Sequence, residues 1–206
     1  AMIGTGSVGS ALGKDWSQRG HTIVYGSRNP GSESVQALVA ATSGDASATT
    51  QAEAVIGADV VVVAVPWEVG EQVVAGLGDL SGKIVIDPTN PRDVSEDGLS
   101  VPPSQESNTE KFKKLAPGAY FAKSFNHIAA EFMENPEQVP GFFVSVAGDE
   151  PAVQWISNIA TDMGYTIGVV GGLRETRLLE AFYSAMRNLR TMGYPAVMQY
   201  GDMPSR

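Results

Sequence analysis

Two periods alternate along this chain. Short runs of apolar and β-branched residues, each closed by Gly, Pro, Ser or Asn, are separated by longer stretches with apolar residues at helical spacing. The runs predict strands at residues 1–3, 21–26, 46–49, 59–65, 83–87, 120–125, 142–148 and 165–170. The stretches between them predict helices at 7–19, 33–42, 51–57, 68–77, 104–115, 129–134 and 151–163, with a last helix from near Leu173. Strand–helix alternation of this kind predicts an α/β fold with a doubly wound, mostly parallel sheet. The run from Asp59 to Val65 is apolar after its first residue, as a strand covered on both faces must be. In the last helix Leu178, Leu179, Phe182, Ala185, Met186 and Leu189 form one broad apolar face, which is expected to cover the sheet end, a partner subunit, or both. Residues 92–103 are polar and rich in Pro, Gly and Ser, and predict a loop.

The first strand ends in Gly4-Thr5-Gly6-Ser7-Val8-Gly9, a Gly-x-Gly-x-x-Gly turn that opens a helix. This is the entry of a Rossmann dinucleotide-binding fold. Gly4 permits the sharp turn, Gly6 lets a pyrophosphate approach the backbone, and Gly9 lets the helix pack closely on the strand. The free N–H groups of Thr5, Ser7 and Val8 would point at the phosphates. Only three residues precede Gly4, whereas strands usually run ~5–6 residues. The natural first strand is therefore expected to begin before residue 1. Gly20 is a helix stop, and the second strand ends in Ser27-Arg28, where such folds read the ribose. An acidic residue there would select NAD. A guanidinium and a hydroxyl suit a 2′-phosphate, so the expected cofactor is NADP(H).

Ligands of open α/β sheets bind beyond the carboxyl ends of the strands. Val65, Pro66 and Trp67 follow the fourth strand, and Asn90 the fifth. Asn126, His127 and Ile128 follow the sixth. Trp67 either lines the cleft or packs at a helix start. Asn90 either meets the nicotinamide amide or makes a plain Asn-Pro turn. His127 either bonds a ring carbonyl of a second substrate or packs at the strand end on a backbone carbonyl, and Asn126 shares the first role. His21 reads as structural.

Composition narrows the partners. The chain has 206 residues, 43% hydrophobic content and a net charge of -9, which argues against nucleic acid or an anionic membrane as partner. No apolar run has the length of a membrane span. There is no cysteine, so thiolate chemistry and disulfides are excluded, and the two histidines show no metal-ligand spacing. No catalytic triad is visible and no metal is expected.

Beyond the glycine turn, Gly26-Ser27-Arg28, Val65-Pro66-Trp67-Glu68, Asp87-Pro88-Thr89-Asn90-Pro91, Lys123-Ser124-Phe125-Asn126-His127-Ile128 and Thr176-Arg177-Leu178-Leu179-Glu180 follow in order. Together they resemble the coenzyme F420-dependent NADP oxidoreductases, over nearly the whole chain. The resemblance implies a Rossmann domain (residues 1–170), a small C-terminal helical part (171–206), a homodimer, and reversible hydride transfer between NADP(H) and the deazaflavin coenzyme F420. It puts the 2′-phosphate on Ser27 and Arg28, and the deazaflavin beside Asn126, His127 and Ile128. Some members carry histidine at the position of Asn126, so either Asn126 or His127 touches the ring. Related domains of membrane metalloreductases use flavin.

Hydride transfer needs positioning and water exclusion rather than side-chain chemistry. The expected partner is thus a small-molecule redox co-substrate, in the cytoplasm. An NADPH-dependent reductase of a flavin, an imine or another small acceptor is the nearer alternative. A non-enzymatic NADP-binding redox sensor is the more distant one. Coenzyme F420 has an acidic tail, for which Arg174, Arg177, Arg187, Arg190 and the lysines at 111–114 are candidates, although the plainer reading of most of them is a solvated side chain or an ion pair with Glu175 or Glu180.

Overall fold

The computed structural model describes residues 1–101 and 105–194. Eight strands form one sheet in the order β3-β2-β1-β4-β5-β6-β7-β8. These are β1 (Met2–Ile3), β2 (Ile23–Gly26), β3 (Ala46–Thr49), β4 (Val60–Val63), β5 (Ile84–Asp87), β6 (Tyr120–Ser124), β7 (Phe143–Gly148) and β8 (Thr166–Gly171). Every pairing is parallel except β6 with β7. The eight predicted strands are all present, most of them shorter by a residue or two at one end, where capping and turn geometry take over from the ladder.

Both sheet faces are covered, and the strands show it residue by residue. Met2, Val62, Ile86 and Ala122 point into a core built with α1 (Ser7–Gln18) and α7 (Glu150–Asp162). Ile3, Val61, Val63, Val85 and Phe121 point into a second core with α4 (Gly70–Gly76) and α5 (Asn108–Leu115). The alternation is the period of two expected of strands, applied to two apolar faces. Shorter helices α2 (Glu33–Ala41), α3 (Gln51–Ala54) and α6 (Ala130–Glu134) complete the crossovers.

Helix α5 starts later than its pattern predicts. Ser107 caps it and accepts from the Glu110 N–H at 3.2 Å, while Glu110 reaches back to the Ser107 N–H at 2.9 Å, a capping box. The predicted start, residue 104, lies outside the described residues.

The last helix, α8 (Thr176–Thr191), turns a different face to the protein than its apolar pattern predicts. Thr176, Leu179, Glu180 and Ser184 are buried, whereas Leu178 and Leu189 are exposed. The reason lies beneath it. The ends of β5 and β6 carry Asp87 and a fully buried Lys123, which a carboxylate satisfies and an apolar side chain cannot. Residues 195–206 of the predicted C-terminal part lie outside the described residues.

Candidate functional site

The sheet order places the strand ends named above in a row. Ser27 and Arg28 follow β2, the glycine turn follows β1, Val65 and Pro66 follow β4, Asn90 follows β5, and Asn126 to Ile128 follow β6. The chain moves outward from β1 to β2 and β3, then returns to the other side of β1 for β4. This is the topological switch point at which α/β sheets open a crevice.

The three glycines at that point differ in what surrounds them. Gly4 has φ +110°, and a Cβ there would sit 2.3 Å from the Ala64 carbonyl oxygen. A Cβ on Gly9 would sit 2.2 Å from the Gly4 carbonyl oxygen. Both are packing glycines. A Cβ on Gly6 would meet nothing within 4 Å, so this position opens onto the cleft. Gly6 is the N-cap of α1, and Ser10 anchors the turn by donating its hydroxyl to the Gly6 carbonyl at 2.9 Å. The N–H groups of Ser7 and Val8 belong to the first turn of α1 and have no intrahelical acceptor. Thr5, Gly6, Ser27, Arg28, Val65 and Pro66 line a cleft of about 550 Å³. Arg28 is exposed and has no carboxylate partner among the described residues, while the Ser27 hydroxyl accepts from the Asn29 N–H at 3.2 Å. A glycine floor, a helix N-terminus and an unpaired guanidinium fit a dinucleotide bearing a 2′-phosphate.

Trp67 faces away from this cleft's lining. It is half-buried against α5, where its carbonyl accepts from Asn108 Nδ2 at 2.9 Å and the Lys111 ammonium lies 5.2 Å from its ring centre. Asn90 and Asn126 bind each other. Asn126 Nδ2 donates to Asn90 Oδ1 at 2.9 Å and to the Leu179 carbonyl at 3.0 Å, and Asn90 Nδ2 donates to the Asn126 carbonyl at 2.5 Å. The turn that presents Asn126 is unusual: Phe125, buried at its start, has φ +59°. A bulky residue in the left-handed region is a strained position of the kind found at functional sites.

His127 has both ring nitrogens engaged. Nε2 lies 3.0 Å from the Phe143 carbonyl, and Nδ1 lies 3.3 Å from the Ser145 hydroxyl. A carbonyl can only accept, so Nε2 carries the proton and Nδ1 accepts. Burial holds the imidazole below its ordinary pKa, against the Phe143 carbonyl, which favours the charged form. The ring therefore offers its surface rather than a free nitrogen, edge-on to Phe182 at 5.5 Å and near-parallel to Phe142 at 6.3 Å.

That aromatic wall belongs to a second cleft, of about 840 Å³, between the end of β6, the start of β7 and α8. Ile128 and Met186 add apolar surface, and Arg187 and Arg190 stand on its α8 wall. The sequence pointed to the β6 side of this cleft. On its α8 side the sequence marks Arg187 and Arg190 as candidate cations, but Phe182 and Met186 read there as ordinary core positions of an amphipathic helix, and Tyr183 gives no signal.

Beneath the row of strand ends lies a buried ionic cluster that periodicity alone does not show. Lys123 Nζ is 2.8 Å from Asp87 and 3.2 Å from Glu180, and donates to the Thr89 carbonyl at 2.7 Å. Asp87 also accepts from the Thr109 hydroxyl at 2.7 Å and the Thr89 N–H at 2.8 Å. Burial pushes the Glu180 carboxyl above its usual range, although Lys123 opposes the shift. The visible signal was a lysine and an aspartate inside otherwise apolar strands. Among the described residues no group of three or more His, Cys, Asp or Glu could hold a metal, and no helix is long and apolar enough to cross a membrane.

Comparisons with known proteins agree with this geometry. Residues 1–91 match the family described as NADP oxidoreductase, coenzyme F420-dependent. The matched part runs from β1 to the residue after Asn90. The resemblance seen in the sequence is thus borne out in that part of the chain. The rat (Rattus norvegicus) metalloreductase STEAP3 is 28% identical over 201 residues, which cover 97% of this chain and 39% of that protein. This chain therefore spans well under half of that relative. Among solved structures, a candidate F420-dependent NADP-reductase from Arthrobacter sp. FB24 superposes with a TM-score of 0.81, at 21% identity and 93% coverage of each chain. A reductive aminase from Aspergillus terreus, in complex with NADPH and ethyl-5-oxohexanoate, gives 0.68 at 18% identity, covering 92% of this chain and 61% of that one. Both show the same Rossmann-type α/β fold.

Proposed function

We propose that this chain is an NADP(H)-dependent oxidoreductase that passes a hydride reversibly between NADP(H) and the deazaflavin coenzyme F420. The observation that carries the reading is the row of strand ends, with a glycine-floored cleft and an unpaired Arg28 at one end and an aromatic cleft at the other. The match of residues 1–91 to the F420-dependent family supports it. In this reading Thr5, Gly6, Ser7 and Val8 hold the pyrophosphate on a turn that Gly4 and Gly9 shape by packing, and Ser27 and Arg28 hold the 2′-phosphate. Val65, Pro66 and Asn90 flank the nicotinamide, with Trp67 supporting them from behind. Asn126, His127 and Ile128 flank the acceptor ring. The two bound rings supply the hydride chemistry, so the residues orient and exclude water. The Asn90–Asn126 pair fixes the distance between the ends of β5 and β6. Neutral His127, with both nitrogens held, keeps a flat apolar wall at the acceptor cleft.

The reading includes a homodimer through the last helix, supported by the exposed Leu178 and Leu189, and a cytoplasmic location. A monomeric mass at micromolar concentration would contradict the dimer. The likeness to STEAP3 over nearly the whole chain favours one second reading, NADPH-dependent reduction of a flavin or another small acceptor. Anaerobic mixing of protein and NADPH with coenzyme F420 in one cuvette and FMN in another separates the two. Protein-dependent bleaching of the deazaflavin is expected, and bleaching of FMN alone would replace the first reading by the second. Tight NADPH binding with neither acceptor reduced would leave a redox sensor.

A further inference from the structure

Several cations of this acidic chain meet carboxylates one to one. Arg174 pairs with Glu175, Arg177 with Glu110, Lys111 with Glu71, Lys113 with Asp149 and Lys114 with Glu106. Arg19 meets two carboxylates, but that of Asp162 is open to solvent, which screens it. The cluster beneath the strand ends is different. One ammonium, that of Lys123, faces both Asp87 and Glu180, and all three side chains are buried.

The bonds of this cluster are unevenly filled. Lys123 uses its three donors on Asp87, Glu180 and the Thr89 carbonyl. Asp87 is satisfied by Lys123, the Thr109 hydroxyl and the Thr89 N–H. Glu180 Oε1 accepts from the Asn108 N–H and meets Lys123, but Oε2 has no hydrogen-bond partner. A buried carboxylate in excess of its counter-ions destabilises a fold. Stability therefore accounts for the Asp87–Lys123 pair but not for a second carboxylate, since a glutamine at residue 180 would serve the Asn108 N–H equally well.

The place of this surplus carboxylate is specific. Thr89, bonded through its N–H to Asp87 and through its carbonyl to Lys123, precedes Asn90. Leu179, whose carbonyl accepts from Asn126, precedes Glu180. The cluster thus lies directly behind the Asn90–Asn126 pair. Asp87 and Asn90 are three residues apart in the chain, so their Cα atoms are within ~11 Å of each other. An oxidised nicotinamide ring is cationic and a reduced one is neutral. A fixed charge at this range therefore acts on one form and hardly on the other.

We propose that Glu180 gives the buried cluster one negative charge in excess, and that this charge favours the oxidised, cationic form of the nicotinamide cofactor over the reduced, neutral form. Glu180 touches neither ring and acts through space, so it tunes the site rather than taking part in the chemistry. The inference rests on the nicotinamide lying against Asn90, as in the proposed function, and not on the identity of the acceptor.

The test compares NADP+ and NADPH affinities of the intact protein by calorimetry at pH 8.5, which favours the ionised carboxyl. In Glu180→Gln the Kd of NADP+ divided by that of NADPH is expected to rise about three- to tenfold over wild type. That is the effect of one unit charge at ~10–15 Å in an effective dielectric of ~20, reduced by salt. Glu180→Asp keeps the charge and should hold the ratio within about twofold of wild type. A role in folding alone would weaken both nucleotides together and leave the ratio in place. The fragment 2′-phospho-ADP-ribose has no nicotinamide and should bind wild type and variants alike. If Glu180→Gln does not fold, Asp87→Asn removes the same unit of charge and should move the ratio in the same direction. An unchanged ratio in the folded charge-removing variant, or an equal rise in Glu180→Asp, overturns the inference while the NADP(H) site stands. Failure of the wild type to bind either nucleotide would overturn the NADP(H) reading itself, and this inference with it.

Discussion

Lys123 Nζ and Glu180 Oε1 lie 3.2 Å apart with neither side chain open to solvent. The contact fastens α8, which carries one wall of the aromatic cleft, to β6, which carries the other. Asp87 completes the cluster from β5. Two carboxylates share one ammonium, so the cluster holds one excess negative charge when both are ionised. Lys123→Met would leave both carboxylates buried without a counter-ion, a change expected to cost about 3–5 kcal/mol. Glu180→Gln keeps the shape and an acceptor for the Asn108 N–H, now 2.9 Å from Glu180 Oε1, and is expected to cost about 1 kcal/mol or less. Urea denaturation of the two variants checks this, and equal losses would contradict it.

Two buried groups tilt stability with pH in opposite senses. The Glu180 carboxyl is raised above 4.5, so the folded chain holds a proton there that the unfolded chain has released. Its contribution is full below pH 4.5 and is lost as pH rises through the raised value. The His127 imidazole is held below 6.5, so the unfolded chain takes up a proton first. Its contribution is full above pH 6.5 and is lost as pH falls through the lowered value. Melting temperatures of Glu180→Gln and His127→Gln across pH should therefore flatten, relative to wild type, on these respective sides. Parallel profiles for all three proteins would count against the assignment.

The glycine turn separates packing from binding. Gly4→Ala and Gly9→Ala force a Cβ against backbone oxygens and should lower the melting temperature by several degrees. Gly6→Ala puts its methyl into open space, so the fold should melt as wild type does while NADPH affinity falls by about tenfold or more. A Gly6→Ala protein that binds NADPH normally would remove the pyrophosphate from this turn.

In the proposed reading Arg28 carries the cofactor preference. Replacing it with aspartate removes a charge-assisted contact worth about 1.5–3 kcal/mol and supplies an acceptor for a ribose hydroxyl. Affinity for NADPH should fall by about 10- to 100-fold, with NADH gaining relative to it. An unchanged NADPH-to-NADH ratio in fluorescence titrations would take Arg28 out of the site.

Much of this was legible in the sequence because its signals are local. Val61 to Val63 must be a two-faced strand, and Gly4 to Gly9 a strand–turn–helix entry, whatever surrounds them. The orientation of α8 was not legible. Its apolar face reads as the inner one, yet Glu180 faces inward because Lys123, 57 residues before it, lies beneath it, and Thr176 faces inward on the Ser107 hydroxyl at 2.6 Å. Likewise the Asn90–Asn126 pair depends on the β5–β6 pairing, which brings together two asparagines 36 residues apart. Long-range polar satisfaction of this kind leaves no period along the chain.

The account turns on direct hydride transfer between the two clefts. NADPH carrying two deuterium atoms at nicotinamide C4, mixed with the protein and coenzyme F420 in ordinary water, tests it most directly. Mass spectrometry of the reduced deazaflavin should show one deuterium gained for each molecule reduced. A reduced deazaflavin without deuterium, or no reduction at all, would contradict the central claim.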